Sequence, residues 1–393
     1  MADFAYQIDS VKPQDRETNT YSPEKMTFFD TLLPDTRTAY PSIAVVTHAV
    51  PGTDEFILDI QKKFRIACFI PKPNSIDAAT LRRIESCAPV LRYTRQMIQT
   101  NHEAFAQEIE NMADGKSLAV IDTGGYFCPL LHTLRRRLGR RFLGVVEDTE
   151  NGHQRYEALV LSAKGERIPC PIASVARSPL KAPEDHLVGQ AIAFSADALL
   201  RECGQIMAGK LACVIGYGKI GASLAECLRQ RGVLVTVIDV DPARQALALA
   251  HGYKCPRLSE HLEESQLVFS ATGCRALRRC DLQRLRRGCY VFTATSGDDE
   301  IENYREVLAD CAPTDHPKIG AFGNERAVFV CNDGNSANFM HGGVVGPFIK
   351  LVQAELAYAA ATITDFKSGQ ITELGHENRR MIAQRWLEFY AHR

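Results

Sequence analysis

The sequence LACVIGYGKIG, residues 211–221, decides the fold class. Its first five residues are apolar and typical of a buried strand, and the pattern that follows over 222–228 is that of an amphipathic helix. A second apolar run, 234–238, ends at Asp239. A strand, a glycine-rich turn, a helix and a second strand that ends in an acid together form the fingerprint of a dinucleotide-binding domain.

Each glycine of this fingerprint has its own task. Gly216 permits a tight turn, Gly218 lets the backbone approach a pyrophosphate, and Gly221 lets the helix pack closely on the strand. The pyrophosphate is expected at the positively polarised N-terminus of the helix. Asp239 is expected to bind the ribose diol of the adenosine and to repel a 2′-phosphate, so the predicted cofactor is NAD rather than NADP.

Other residues of the same region are candidates for cofactor contact. Lys219 and Ile220 lie inside the motif, although Lys219 is more typical of a solvated surface lysine. Thr272 with Gly273, and Thr295, follow two later apolar runs, at the sheet edge where the cofactor of such a fold lies. Ordinary strand-ending turns explain these residues equally well.

The 393 residues are enough for two or three domains. Residues 1–40 are polar and without sustained periodicity, so an irregular lead-in is expected there. Beyond them, short apolar runs alternate with helix-length segments, which is typical of parallel α/β units. The predicted strands lie at 43–47, 65–70, 118–121, 142–146, 211–215, 234–238, 267–270 and 290–294.

A long helix that opens near Pro183 is predicted to bridge two lobes. The apolar residues at helical spacing along it are Leu187, Ala191, Phe194, Ala198 and Cys203. Two more helices are predicted near the end of the chain, over 348–359 and 382–390.

The composition excludes several classes of function. Lys and Arg number 46 against 47 Asp and Glu, so nothing indicates a nucleic-acid surface. The 13 cysteines include no C-x-x-C pair, so neither a metal site nor a disulfide framework is predicted. No run reaches the roughly 18 apolar residues of a membrane span. A cytoplasmic protein is expected, whose partners are a small-molecule substrate and the other subunits of a homo-oligomer, either a dimer or a tetramer.

Several stretches of the chain resemble the S-adenosylhomocysteine hydrolase (adenosylhomocysteinase) family, and the chain is identified as a divergent member. The likeness covers residues 40 to 360 and is stronger in the cofactor half. It rests on Asp122-Thr123-Gly124-Gly125, on Pro171 through Gly189, on Met207-Ala208-Gly209-Lys210 before GYGKIG, on Ile238-Asp239-Val240-Asp241-Pro242, on Ala271-Thr272-Gly273-Cys274, and on Asn338 with His341 before a long helix.

The resemblance implies an α/β fold of two Rossmann-like, doubly wound parallel-sheet domains with a cleft that closes over the substrate. Residues 1–185 with 345–393 are then the substrate-binding domain, and 190–344 are the NAD-binding domain. In the family, NAD oxidises the ribose 3′-hydroxyl, the 4′ proton is removed, the 5′ thioether leaves and water adds. NAD is restored in the same turnover, and such chemistry needs several proton carriers.

The resemblance also supplies candidate site residues. Lys181 matches the lysine at the 3′-hydroxyl, Asp185 its partner aspartate, and His48 the histidine near the leaving group, with His341 as a further catalytic candidate. A surface ion pair at a helix start and a structural histidine are the alternatives for these residues. The candidate substrate-binding residues are Thr53, Thr123, Asp148 and His186, and Thr149 and Asn338 join the cofactor-binding set.

Departures from the family point to a different substrate. The catalytic aspartate before Gly-Gly is replaced by Thr123, which cannot act as a carboxylate base, and a later histidine by Ser296. Val50 and Gly52 stand where the family reads adenine with polar side chains. A site that has lost such groups loses its specificity for them.

Three functions are open at this stage. The first is an NAD-dependent enzyme that transiently oxidises a hydroxyl of a nucleoside or nucleoside-like thioether other than S-adenosylhomocysteine, with elimination or addition next to it. The second is a net dehydrogenase, which the missing C-terminal Lys- and Tyr-bearing segment of the family would favour by letting NADH exchange. The third is an NAD-bound regulatory pseudoenzyme, which Thr123 and Ser296 support and which Lys181 and Asp185 oppose.

Overall fold

The computed structural model describes residues 27–33, 40–162, 168–323 and 327–391. Its strands are β1 (Ser42–Ala49), β2 (Ile66–Ile76), β3 (Leu118–Asp122), β4 (Phe142–Glu147), β5 (Ile172–Ser174), β6 (Leu211–Ile215), β7 (Leu234–Ile238), β8 (Leu267–Ser270), β9 (Tyr290–Thr293), β10 (Cys311–Pro313), β11 (Ile319–Phe322), β12 (Val328–Cys331) and β13 (Ile371–Thr372).

The α-helices alternate with these strands through most of the chain. They are α1 (Phe28–Leu32), α2 (Thr53–Ile60), α3 (Ala78–Glu85), α4 (Arg95–Thr100), α5 (His102–Ala113), α6 (Leu131–Leu138), α7 (Glu150–Ser162), α8 (Ala182–Glu202), α9 (Lys219–Gln230), α10 (Pro242–Ala250), α11 (Leu258–His261), α12 (Arg279–Arg284), α13 (Gly297–Glu300), α14 (Tyr304–Ala309), α15 (Ile349–Ala361) and α16 (His376–Trp386).

The first sheet is parallel throughout, in the order β13-β5-β4-β3-β1-β2. Both of its faces are buried. In β1, Ile43 and Val45 pack into one apolar cluster, while Ala44 and Val46 pack into another on the opposite face. Parallel sheets need helices on both faces, which explains why their strands are almost continuously apolar in sequence.

The second sheet contains the fingerprint, in the order β10-β11-β12-β9-β8-β6-β7. The strands from β12 to β7 pair in parallel, and β10 and β11 extend that edge as an antiparallel pair. The predicted α/β class with two Rossmann-like sheets is therefore confirmed. The short strands β5 and β10 to β13 were not predicted, because two to four residues carry too little periodicity of their own.

The helix α8 is present as predicted, but its buried face is wrong in the prediction. Phe194 is 54% exposed, whereas the neighbouring Ile192 and Ala193 are fully buried. This face packs against α9 so closely that a methyl group on Gly189 would lie 2.8 Å from the backbone nitrogen of Leu224. Packing against α9 determines which face of α8 is buried. The spacing of apolar residues within α8 alone could not predict that face.

Both ends of the described chain pack under the first sheet. α1, which begins with a capping box of Thr27 and Asp30, lies inside the predicted irregular lead-in, so that prediction is wrong for 28–32. The Phe28 ring contacts Tyr390 after α16, at 5.6 Å between centroids. The rest of the lead-in up to residue 26, and residues 34–39, lie outside the described residues. None of the described helices has the length and hydropathy that a bilayer crossing requires.

Candidate functional site

The carboxyl ends of β1 to β4 meet the start of α8 at one edge of the first sheet. Lys181, just before α8, is 8% exposed. Its Nζ donates to Asp148, after β4, at 2.9 Å and to Glu184 at 2.8 Å. The predicted lysine therefore lies in the site with the predicted Asp148. Glu184, which sequence reasoning missed, follows Lys181 by three residues and is its second partner.

The charge state of Lys181 differs from a simple expectation for a buried amine. Burial alone would lower the pKa of Lys181, but the carboxylates of Asp148, Glu184 and Asp185 outweigh it and raise that pKa well above its ordinary value. Burial in turn raises the pKa of Glu184, against the attraction of the lysine. Lys181 is therefore an ammonium group at neutral pH in this arrangement, and its task there is to donate hydrogen bonds.

Asp185 is buried as well, but its ion-pair partner is not Lys181. Its carboxylate lies 3.4 Å from the Nζ of Lys219, the lysine inside the glycine motif. Lys219 also donates to the Ala176 carbonyl at 3.4 Å. The ion-pair partners of Lys181 are thus Asp148 and Glu184, while Asp185 acts on the lysine only through its nearby charge. Lys219 therefore links the fingerprint to the first lobe, the part of the chain that is built on the first sheet. Its side chain is nevertheless 45% exposed.

His48, at the end of β1, occupies the predicted position in the same edge. Its Nδ1 hydrogen-bonds the Ser75 hydroxyl, and its ring packs on Phe339 with centroids 4.7 Å apart. Burial and the charges of Lys72 and Lys181 lower the pKa of His48 well below 6.5. The imidazole is therefore neutral at pH 7, with a partner from each lobe.

His341 lies away from the cluster formed by Lys181, Asp148, Glu184 and His48. Its Nδ1 lies 3.0 Å from the hydroxyl of Ser195 in the middle of α8, and its ring contacts Phe194. Ser195 follows Asp185 by ten residues along a continuous helix, which corresponds to a rise of about 15 Å. The catalytic assignment of His341 is therefore not supported by its position. The residue of that segment that reaches His48 is Phe339, which the sequence did not single out.

Two of the predicted substrate-binding side chains have other partners. The Thr53 hydroxyl donates to the His48 carbonyl at 2.9 Å and so ties α2 to the end of β1. His186 is exposed and its ring nitrogen lies 2.9 Å from the Gln190 amide, one turn along α8. His186 therefore points away from the buried cluster. Thr123, in contrast, is 1% exposed, and its hydroxyl has no hydrogen-bond partner in the described structure.

A buried carboxylate, Glu147, shapes the loop that carries Thr123. It accepts the backbone N–H groups of Gly124 at 2.9 Å and Gly125 at 3.0 Å, and the Thr149 hydroxyl at 2.7 Å. Burial raises the pKa of Glu147 to about 8, with a further contribution from the neighbouring Asp122. The Thr149 hydroxyl thus donates to Glu147 and accepts the N–H of Gly152. It stabilises this loop, and its proton is not available for the predicted contact with the cofactor.

The fingerprint has the conformation that its glycines require. Gly216 adopts a φ of +95°, and a methyl group on Gly221 would lie 1.9 Å from the Gly216 carbonyl oxygen. Over Gly218 the nearest atom to such a group is 3.6 Å away, in the guanidinium of Arg244, so the backbone there is open. No side chain caps the N-terminus of α9. Uncapped N–H groups beside an open glycine backbone fit a dinucleotide pyrophosphate.

Asp239 lies at the end of β7, next to this turn. Its carboxylate accepts the N–H of Tyr217 at 2.6 Å and that of Asp241 at 2.8 Å. Arg244 lies 3.9 Å away, between Asp239 and Gly218. The acid is therefore held where the adenosine ribose of a bound dinucleotide would meet it. The sequence did not single out Arg244.

The later cofactor candidates gather around one residue that the sequence did not reveal. Glu300 is fully buried and accepts the N–H groups of Thr272 and Gly273 and the hydroxyls of Thr272 and Thr295. Glu300 thereby holds the turns at the ends of β8 and β9, which is the strand-ending role left open above. Asn338 accepts the Ser336 hydroxyl at 2.5 Å through its side-chain oxygen.

Three ion pairs connect the two lobes near Gly124. Arg95 donates to Asp298 at 2.6 Å and to Asp299 at 2.7 Å, and Arg155 donates to Asp299 at 3.2 Å. These residues lie 144 to 204 positions apart in the chain, so no local sequence pattern could pair them.

Comparisons with known proteins agree with this geometry. The model of the S-adenosyl-L-homocysteine hydrolase NAD-binding domain matches residues 192–335. The S-inosyl-L-homocysteine hydrolase of Methanopyrus kandleri is 26% identical over 53% of this chain and 48% of its own length. That of Methanocaldococcus jannaschii is 28% identical over 61% and 60%. The adenosylhomocysteinase of Thermotoga maritima is 27% identical over 62% and 61%.

Residues 192–335 thus match the NAD-binding domain of this family, and the relatives, at 26 to 28% identity, support a divergent member of it. The resemblance inferred from the sequence is thereby confirmed, as is NAD as the cofactor, since the matched domain is the NAD-binding one. The chain spans 48 to 61% of the length of these relatives.

Proposed function

We propose that this protein is an NAD-dependent enzyme that transiently oxidises a secondary hydroxyl of a nucleoside or nucleoside-like thioether, and eliminates or adds at the adjacent position. The observation that carries the proposal is the buried cluster of Lys181 with Asp148 and Glu184, which the pair of Asp185 and Lys219 connects to the dinucleotide fingerprint. When bound, NAD supplies the oxidising power. The residues of the chain must then hold the hydroxyl and handle protons.

Gly218, the N-terminus of α9 and Asp239 would hold the cofactor. Lys181 would donate a hydrogen bond to the substrate oxygen, since its ammonium is fixed by two carboxylates and has a third N–H available. Asp148 would accept a hydrogen bond from a hydroxyl of the same substrate. His48 is neutral and packed on Phe339, so its second ring nitrogen can exchange a proton with a leaving group.

The substrate is proposed to be something other than S-adenosyl-L-homocysteine. Val50 and Gly52 supply no polar side chain for an adenine amino group. Two of the relatives above are named S-inosyl-L-homocysteine hydrolases. A thioether with a different base, of which S-inosyl-L-homocysteine is the first to test, is therefore the leading substrate class.

The test begins by denaturing purified protein and identifying the released nucleotide by mass spectrometry. The intact protein is then mixed with S-inosyl- and S-adenosyl-L-homocysteine in parallel, and thiol release and reduced cofactor are measured. We expect bound NAD and faster thiol release from the inosyl compound. Rapid cleavage of the adenosyl compound, in the ordinary range of roughly 1–1000 per second, would overturn the substrate proposal.

The two other candidate functions give different outcomes in the same assay. A net dehydrogenase would release more than one equivalent of NADH per subunit, without thiol. A regulatory pseudoenzyme would hold NAD and change neither compound. Either outcome would contradict the proposed reaction.

We also propose a cytoplasmic homo-oligomer, a dimer or a tetramer, built from subunits divided into residues 1–185 with 345–393 and 190–344. Light scattering of the purified protein tests the assembly, and a single-subunit mass at micromolar concentration would contradict it. Limited proteolysis tests the division: cleavage should begin near 344–345, because the other boundary, 185–190, lies inside α8, and cleavage inside either unit first would contradict the boundaries.

A further inference from the structure

Lys72, on β2, lies at the same edge of the first sheet as the candidate site, and the family resemblance gave it no role. Its side chain is partly buried, and no hydrogen bond or ion pair within the described residues involves its amine. A methyl group built on Gly124 would lie 3.5 Å from the Lys72 Nζ. The amine therefore lies over the glycine turn that follows Thr123.

Charged and titratable groups surround Lys72 from both lobes. Asp299 and Asp298 face it from the second lobe, Arg95 from α4, Glu147 from β4, and Asp122 from β3. His48 also lies within the field of Lys72. The two aspartates are already bound by Arg95, and Glu147 is bound by the N–H groups of the glycine turn. None of these carboxylates accepts a hydrogen bond from Lys72.

The position matters because this is where the chain lacks a base. Thr123 stands where the family resemblance places an aspartate, and its buried hydroxyl has no partner. A hydroxyl cannot take up a proton near neutral pH. A lysine that is already desolvated and without a hydrogen-bond partner can do so when it is neutral.

The two lysines of the site differ in the direction of their pKa shifts. Three carboxylates raise the pKa of Lys181, as described above. Burial lowers the pKa of Lys72, with Arg95 acting in the same direction and Asp299, Glu147 and Asp298 opposing it. Two groups of one chemical type whose environments separate their pKa values are typical of an acid and a base that share one reaction.

We propose that the neutral amine of Lys72 is the catalytic base that removes the proton from the substrate carbon next to the oxidised carbon. This inference rests on the proposed function. The C–H electron pair becomes a new carbon–carbon double bond, and the bond to the leaving sulfur breaks with its electrons. The proton passes to the Lys72 Nζ, which becomes an ammonium group and can protonate the departing thiolate. No further oxidant is needed for this step.

An anion-binding role for Lys72 is less consistent with the structure. Arg95, the nearest other cation at Gly124, is engaged by Asp298 and Asp299 through one guanidinium nitrogen and by the Gly124 carbonyl through another. Both aspartates would also repel an anionic group at this place. A base needs neither a second cation nor the removal of these carboxylates.

The first test follows exchange of the carbon-bound hydrogen with solvent. Wild type, Lys72→Met and Lys72→Arg are incubated in D₂O with S-inosyl-L-homocysteine and, separately, with inosine. Deuterium at the carbon beside the oxidised one is measured by mass spectrometry, and cofactor reduction by absorbance. We expect both variants to reduce the cofactor but to lose exchange by about 10²-fold or more, since a positioned base contributes that much. The exposed Lys116→Met serves as the control and should match wild type.

The paired variants separate a base from a charge. Arginine keeps the positive charge but does not give up its proton at working pH. Retained exchange in Lys72→Arg would show that only the charge matters and would overturn the proposal. Retained exchange in Lys72→Met would overturn it as well.

A second test does not depend on turnover. The protein is treated with acetic anhydride between pH 6 and 9, and acetylation of each lysine is measured by peptide mass spectrometry. Because only a neutral amine reacts and burial lowers the pKa of Lys72, this residue should reach half-labelling at a lower pH than the exposed control lysine. Lys181 should label last. Equal midpoints for Lys72 and Lys116 would overturn the assignment.

The two tests distinguish failure of this inference from failure of the proposed function. If wild type reduces no cofactor with either compound, the proposed function fails on these substrates and acetylation alone decides the state of Lys72. If wild type reduces the cofactor and exchanges hydrogen while the variants do the same, the function stands and Lys72 is not the base.

Discussion

The guanidinium of Arg95 lies 2.7 Å from the carboxylate of Asp299 and joins the two lobes across the candidate site. The side chains of Arg95 and Asp299 are only 12% and 7% exposed, so this ion pair is largely removed from water. Arg155 binds the same aspartate, and Asn151 donates to the Gly273 carbonyl nearby. The lobes are therefore held together by polar contacts, which can open and close more readily than an apolar interface.

Removing Arg95 should destabilise the contact between the lobes. Arg95→Met leaves Asp298 and Asp299 without their main cation, and breaking a buried ion pair costs about 3–5 kcal/mol. We expect a lower unfolding midpoint in chemical denaturation and a larger radius in small-angle scattering. The matched control is Arg136→Met, whose pair with Glu103 is exposed and is expected to contribute about 0–1 kcal/mol. Equal effects of the two variants would contradict the role of Arg95.

The two fingerprint glycines should respond differently to alanine. Gly221→Ala places a methyl group 1.9 Å from a backbone oxygen, so the turn must distort and the protein should lose about 1–3 kcal/mol of stability. Gly218→Ala has a φ of −75° and open space, so its stability should stay near wild type while NAD affinity falls. Denaturation curves and calorimetric NAD titration separate the two effects. Normal NAD affinity in Gly218→Ala would contradict pyrophosphate binding at this turn.

Asp239 and Arg244 should together set the choice between NAD and NADP. Asp239→Asn removes the charge that repels a 2′-phosphate, while Arg244 at 3.9 Å is left to attract it. NADP affinity relative to NAD should rise about tenfold, equivalent to about 1.4 kcal/mol. The added Arg244→Ala change should reverse this gain. An unchanged preference in Asp239→Asn, measured by calorimetry, would count against the placement of the ribose.

His48 should make stability depend on pH in the acidic range. Its folded-state pKa lies well below 6.5, so below pH 6.5 the unfolded chain binds a proton that the folded chain excludes. The free energy of unfolding should therefore fall as the pH is lowered from 6.5. His48→Gln should show a shallower decline in urea denaturation between pH 7 and 5. Burial also lowers the pKa of His153, so the variant His153→Gln should show a shallower decline of the unfolding free energy as well. Parallel curves for wild type and His48→Gln would contradict the neutral assignment.

The cofactor half was largely predictable because its signals are local. The strand at 211–215, the three glycines and Asp239 follow one another within 29 residues, and each has a fixed conformational task. The observed bounds of β6, β7 and β8 are those expected from the apolar runs. The strands β10 to β12 carry no such signal, since they are three or four residues long and continue, through two antiparallel pairings, a sheet that the other strands define.

The substrate half was less predictable because long-range contacts determine it. Lys181 and His48 were placed in the site by resemblance, but nothing in the sequence assigned Lys181 to Asp148 and Glu184, or His48 to Phe339. The candidate His341 packs against Phe194 and Ser195 of α8 instead, while Phe339 of the same segment contacts His48. Partners such as these are decided by how the lobes pack.

Lys181 should be essential for oxidation of the substrate hydroxyl, and Asp185 should matter less. Lys181→Met removes the hydrogen-bond donor beside the substrate oxygen, so the absorbance of reduced cofactor should not appear after substrate is added, while NAD content stays intact. Lys181→Arg keeps the cation for Asp148 and Glu184, and should restore stability more than activity. Asp185→Asn weakens only the link to Lys219 and should slow the reaction less. Unimpaired cofactor reduction in Lys181→Met would remove this lysine from the mechanism. It would leave His48, the other predicted catalytic residue in the cluster, to bind the hydroxyl.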